Sequence, residues 1–283
     1  MSGQLNGKLT LTGFADEIAE PLDEQLAVLE ELGLTHLDLR QVDGRTIHEF
    51  SDAELADIKQ TLDERGFQVS SIGSPIGKIH ITDPFGPHLE KFERVVEVAE
   101  HFDTEYIRLF SYYIPEEDDP SEHREEVLER MARKTEIAEQ AGVKLIHENE
   151  KRIYGDVPSR CRDILTNVDS PALTAAFDPA NFLEVGVRPY PDALINHVEH
   201  VGYLHIKDAI FGEEGEIRPA GEGDGRIKDI VTAMDGRGFT GFASLEPHLL
   251  FAGKKEGFSG PEGFRMATEA FVDILEEAGI AYE

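Results

Sequence analysis

Short runs rich in β-branched and aromatic residues alternate with amphipathic stretches along the whole chain. The apolar runs predict strands at 9–14, 36–42, 68–75, 106–113, 144–150, 173–179, 201–209 and 241–247. A helical pattern follows each one. Several helix ends are marked by specific residues: Pro21 opens PLDEQLAVLEEL, Gly33 closes it, Ser51 caps SDAELADIKQTLDER, and Gly66, Gly142 and Gly279 end later helices. Strand-to-strand spacing of roughly 30 residues is that of a βα unit with its crossover. Eight such units predict an α/β fold, a single (β/α)8 TIM barrel forming one domain over residues 1–283. A doubly wound open sheet would carry a glycine-rich turn after the first strand, where this chain has GFADEI. The acidic stretch 115–126 reads as a long loop within that domain.

Composition narrows the partners. The 283 residues include 27 basic and 57 acidic ones, a net charge of −30, and 40% are hydrophobic. Such a charge argues against nucleic acid and anionic membranes as partners. The acids are spread along the chain, the pattern of a solvated surface; a halophilic one is expected first, with an ordinary mesophilic acidic enzyme as the alternative. One cysteine, Cys161, leaves no intramolecular disulfide and no cysteine-ligated metal, and it reads as a small buried residue. The N-terminus has neither the basic start nor the apolar run of a secretion signal, so a cytoplasmic location is expected.

In a TIM barrel the active site gathers at the C-terminal ends of the strands. The fifth to eighth strands end in KLIHENE, LTAAFDPAN, YLHIKDA and FASLEPH. A side-chain period of two puts Glu148, Asp178, His205 and Glu246 on the inward face together with Ile146, Ala176, Lys207 and Ser244. Taken singly, a carboxylate there can cap the next helix or hold a lysine. Taken together, three carboxylates and one imidazole at one depth suit one divalent metal ion. Oxygen-rich ligation favours Mn2+, Mg2+ or Co2+ over a closed structural Zn2+ site, and we expect Mn2+ first.

These motifs carry a resemblance. GFADE, YIRLFSYY, LIHENEKRIYGD, FDPANF, YLHIKDA with PAGEGDG, and SLEPH together resemble the xylose isomerase-like TIM barrels known as sugar phosphate isomerases or epimerases, a group with tagatose epimerases and inosose dehydratases among its members. The resemblance spans nearly the whole chain and implies one divalent metal held by Glu148, Asp178, His205 and Glu246. One position departs: the sugar epimerases carry a histidine three residues beyond the aspartate, where this chain has Asn181. The apurinic endonuclease branch needs a zinc cluster built from many histidines and a basic groove, whereas this chain has one histidine among its four best ligands and a net charge of −30.

A cation gripping adjacent oxygens of a keto-sugar acidifies the neighbouring carbon-bound proton, and Glu148 and Glu246 are the candidate acid–base pair that removes and returns it through an enediolate. Isomerisation or epimerisation of a sugar or related polyol is the leading expectation. Dehydration of a keto-sugar or keto-inositol is the alternative, and a non-catalytic sugar-binding barrel is the rival from another class. Lys207, Arg108, His248, Asn181 and Glu17 are the expected substrate contacts; Lys207 could instead donate a proton to a leaving group or pair with a ligand carboxylate, Arg108 could instead neutralise Glu148, and Arg40 either helps or forms an ion pair with Glu17. His147 is expected to point outward as packing, and Lys78 to reach the pocket mouth or, more commonly, to stand as a solvated loop lysine. The acids Glu222 and Asp224 within PAGEGDG argue against a phosphate cradle, despite nearby Arg218 and Arg226, so an unphosphorylated substrate is expected. A homo-oligomer is possible on sequence grounds alone.

Overall fold

The computed structural model describes residues 7–249 and 259–283. Its main sheet has eight parallel strands: β1 (Lys8–Gly13), β2 (His36–Leu39), β3 (Gln68–Ile72), β4 (Tyr106–Leu109), β5 (Lys144–Glu148), β6 (Leu173–Phe177), β7 (Val201–Ile206) and β8 (Thr240–Leu245). They lie in the order β1-β8-β7-β6-β5-β4-β3-β2, and a parallel bridge between Phe14 and Asp38 brings β2 round to β1. Sequential order with near closure is the TIM barrel; a doubly wound sheet would reverse direction part-way.

The helices are α1 (Leu22–Glu31), α2 (Asp52–Arg65), α3 (Phe85–His101), α4 (Arg124–Ala141), α5 (Pro158–Val168), α6 (Pro179–Glu184), α7 (Leu194–His197), α8 (Ile227–Asp235) and α9 (Gly260–Ala278). Local chemistry sets their ends. Ser51 and Glu54 form a reciprocal capping box at the start of α2, and Gly66, at φ +76°, ends it in the left-handed region where a β-carbon is disfavoured. Leu55, Ile58 and Leu62 then form the buried stripe of α2. Fully burying such a side chain contributes about 1.5–3 kcal/mol.

The expected strands run one to four residues too long at their C-terminal ends. After Leu109, for example, the chain turns away: the Phe110 amide donates to Ile76 O, and Tyr112 takes φ +70°. The sixth helix is also broken, with α6 and α7 separated by a turn around Gly186, Pro189 and Pro191. The stretch 115–126 is less of a loop than expected, because Asp119 caps a 3-10 turn at Pro120–His123 that runs into α4.

Inside the barrel the layers follow strand alternation. Ile146, Ala176 and Tyr203, flanked by Tyr106 and Phe242, make an apolar floor. Above it, Asp38 accepts hydrogen bonds from Tyr203 (2.7 Å), Ser244 (2.6 Å), Thr12 (3.3 Å) and Ser71. One alternation higher, at the C-terminal rim, lie the candidate ligands.

Candidate metal centre

Glu148 ends β5, Asp178 follows β6, His205 lies in β7 and Glu246 follows β8. Each is 2% exposed or less. One potential ligand atom from each lies within 4.8 Å of all the others. His205 Nδ1 is 3.5 Å from Glu148 Oε1, 3.5 Å from Glu246 Oε2 and 4.0 Å from Asp178 Oδ2. Asp178 does both things open to a strand-end carboxylate: Oδ1 accepts from the Asn181 amide at 2.9 Å as the cap of α6, while Oδ2 turns to the cluster.

Buried polar atoms are normally hydrogen-bonded. Here Glu148 Oε2, Asp178 Oδ2 and both nitrogens of His205 make no hydrogen bond among the described residues. Lys207 Nζ stands 2.8 Å from Asp178 Oδ2, as an ion-pair contact off the hydrogen-bonding direction. Burial depresses the His205 imidazole, yet the charges of Glu148 and Glu246 more than reverse this and raise it to about 10. Burial raises Asp178 to about 6 against the pull of Lys207. For Glu148, burial and the charge of Glu246 push upward, but His205 and Arg108 hold the carboxyl at about 2. A site that draws a proton onto an imidazole between carboxylates is asking for positive charge. The donor set and its unpartnered atoms therefore suit a divalent cation.

Basic groups ring the cluster. Arg108 NH1 is 3.3 Å from Glu148 Oε2 and 3.2 Å from Glu246 Oε1, and Lys207 Nζ is 3.3 Å from Glu246 Oε2. Asn181 is a bracket, its amide donating to Glu148 Oε1 at 3.1 Å and to the Asn149 carbonyl at 2.9 Å. Asn149, which sequence reasoning passed over, donates to the Asp178 carbonyl at 2.8 Å and accepts its amide at 3.0 Å, joining β5 to β6 beneath the ligands. Asn181, Lys207 and His248 line a cavity of about 290 Å³ walled by Lys151, Glu184 and Ile217.

Three expectations change. Arg40 does not pair with Glu17: its Nε donates to Asp16 at 2.7 Å and its NH1 to Glu246 Oε1 at 3.3 Å. Glu17 is not an exposed pocket contact, because it is fully buried behind His248 and Ser259. Lys78 is no free loop lysine, since it pairs with Glu150 at 3.1 Å across the Phe110 ring. Cys161 is buried, donates to the Gly155 carbonyl and has its thiol pKa pushed up by burial. His147 is likewise buried, against Gly155, and burial depresses its imidazole to about 3. The glycine-rich loop turns its amides inward: Gly221, Gly223 and Gly225 donate to the Asp208 carboxylate at 2.9, 3.2 and 2.7 Å. Arg218 and Arg226 pair with Glu216 and Asp229.

The sequence profile of the xylose isomerase-like TIM barrel matches residues 26–266. The chain belongs to this family. No curated protein matches it. Among solved structures, this xylose isomerase-like barrel is similar to the probable 3-DHS dehydratase AsbF of Bacillus anthracis, at 17% identity and TM-score 0.74, over 94% of this chain and 98% of that one. It is also similar to a D-tagatose 3-epimerase-like protein, at 16% identity and TM-score 0.77, over 96% and 98% of the two chains. A third likeness is to the IOLI protein with a bound zinc atom, at 15% identity and TM-score 0.78, over 95% and 99%. At such identities the likeness establishes the fold. Among the described residues no helix is long and apolar enough to cross a membrane.

Proposed function

We propose that this xylose isomerase-like barrel is a divalent-metal-dependent sugar isomerase or epimerase, acting on a keto-sugar or related polyol. The observation that carries the reading is the buried Glu148, Asp178, His205 and Glu246 cluster, with unmet bonding capacity, at the rim beside a cavity of about 290 Å³. That volume lies at the lower end of ligand pockets and suits a single sugar. A bound divalent cation would polarise a carbonyl and lower the barrier to removing the neighbouring carbon-bound proton. Glu148 and Glu246 supply the bases. Both stay ionised at neutral pH: burial pushes Glu246 up, but Lys207 and His248 hold it well below the ordinary carboxylate range. One carboxylate would remove the proton; delivery to the opposite face of the same carbon by the other is epimerisation, and delivery to the neighbouring carbon is isomerisation.

Dehydration ranks second on one observation. It needs a proton for the departing hydroxyl, and the Lys207 ammonium, the nearest candidate, is already engaged with Asp178 at 2.8 Å and Glu246 at 3.3 Å. Arg108 is the candidate clamp for a substrate oxygen, with Asn181 and His248 at the cavity wall. An unphosphorylated substrate fits the loop chemistry, because Asp208 already occupies the glycine amides that would cradle a phosphate. Activity on a phosphorylated sugar, with none on its unphosphorylated counterpart, would overturn this. We take Mn2+ as the first metal to test, with Mg2+, Co2+ and Zn2+ after it. One domain over 1–283, a cytoplasmic location and a halophilic surface belong to the same reading. The net charge of −30 speaks against a nucleic-acid partner.

The deciding experiment measures bound metal in the wild type and in Glu246→Gln, purified without chelator. One ion per chain, much reduced in the variant, is the expected result. Deuterium exchange into a keto-sugar then supports isomerisation, and an ultraviolet-absorbing product supports dehydration. Failure to retain any of the four ions, with a sugar recovered unchanged, would leave the binding barrel.

A further inference from the structure

The segment after β8 turns on a residue in a sparsely populated conformation. His248 has φ +46°, a backbone state that disfavours a β-carbon-bearing residue and persists only when its surroundings impose it. Glu17 imposes it. Its buried Oε2 accepts from the main-chain amide of His248 at 2.9 Å and from Ser259 Oγ at 2.7 Å, while Oε1 stands 3.3 Å from His248 Nε2. Ser259 completes the fastening: its amide donates to the Glu17 carbonyl at 3.0 Å, and its hydroxyl accepts the Leu249 amide at 3.0 Å. The imidazole backed in this way stands 3.6 Å from Glu246 Oε1 and lines the cavity.

We propose that Glu17 is a positioning residue that sets the His248 imidazole against Glu246 and acts on the sugar pocket only through His248. The proposal rests on the reading of that cavity as the substrate site. Direct contact between Glu17 and a substrate is disfavoured, because both its oxygens face His248 and Ser259 and the side chain does not line the cavity. A second cation shared by Glu17, Glu246 and His248 is the competing use of the same atoms, which also gather within 4.8 Å. It is disfavoured because the oxygen such an ion would share, Glu246 Oε1, already has Arg40 at 3.3 Å and Arg108 at 3.2 Å. A purely structural anchor, for its part, needs no second oxygen turned to the imidazole.

The test uses full-length protein loaded with Mn2+ for kinetics and metal-free protein for nitrogen NMR of the imidazole, assigned by comparison with His248→Ala. In the wild type we expect His248 to show one dominant tautomer. Glu17→Gln keeps an acceptor for the two hydrogen bonds but removes the charge behind the ring, so the tautomer preference weakens while the fold stays intact. On the sugar that the wild type turns over, Glu17→Ala and His248→Ala each lower kcat about 10²-fold, the scale of a group displaced by about 1 Å. The double variant falls no further than His248→Ala alone. Losses that multiply in the double variant would overturn the proposal, as would a His248 resonance identical in the wild type and Glu17→Gln. So would a second bound ion that Glu17→Gln releases. If the wild type binds no metal and turns over no sugar, the functional reading falls by itself, and the imidazole spectra still decide the role of Glu17.

Discussion

Two layers of buried acid lie one above the other inside the barrel. Asp38, on β2, is 1% exposed, and four hydroxyls from Thr12, Ser71, Tyr203 and Ser244 donate to its two oxygens. Glu148, Asp178 and Glu246, one alternation higher, are buried as deeply, yet two of their oxygens and both nitrogens of the imidazole between them make no hydrogen bond among the described residues. Burial alone therefore does not mark a site. A satisfied carboxylate can stay where it is as part of the barrel's interior, whereas a group of unsatisfied ones keeps its desolvation cost until a cation joins them.

The contrast can be broken from either side. The largest effect belongs to the upper layer: His205→Ala should release the metal and lower turnover about 10³-fold or more, since a cation supplies several kcal/mol of charge stabilisation. Metal analysis by mass spectrometry reads this directly, and full occupancy in that variant would remove the distinction between the layers. The lower layer should fail in the opposite sense. Asp38→Ala removes the acceptor of four buried hydroxyls, of which Thr12 keeps Ser70 at 2.6 Å, and should cost about 3 kcal/mol in urea unfolding while leaving metal stoichiometry at one per chain.

A third buried charge sharpens the comparison with a smaller effect. Lys134, on α4, is fully buried, makes no hydrogen bond among the described residues, and stands 4.6 Å from the centre of the Tyr112 ring. Burial, reinforced by Arg130, lowers its pKa to about 7. Between that value and the ordinary 10.5 the unfolded chain binds more protons than the fold, so stability rises as pH climbs from about 7 towards 10, and the full penalty applies below 7. Lys134→Met should stabilise the protein at neutral pH by on the order of 2 kcal/mol and flatten that slope, as urea unfolding across the range would show. A variant less stable than the wild type would mean that Lys134 has a counter-charge after all.

Much of the site was legible before any fold was built. Alternation with period two placed Glu148, Asp178, His205 and Glu246 on one face of four successive strands, and the structure brings those four together. Their supporting contacts were not legible. Arg40 could not be assigned to Asp16 and Glu246 over Glu17, and Asn149 carries no mark of the bracket it forms with Asp178. Asp208 gave no sign that it would consume the glycine amides of the following loop.

The division has a physical origin. Helix caps, strand alternation and the polar strand ends are set by neighbours a few residues away, so the sequence by itself determined the eight βα units and the inward face of each ligand. Partner choice depends on barrel closure, which lays β1 beside β8 and pairs Thr12 with Ser244 in register. Only that closure brings Glu17 to Ser259 and Arg40 to Glu246, across separations of 242 and 206 residues. Which buried acids were answered by hydroxyls and which were left without partners was decided there, by the depth at which each side chain enters the barrel.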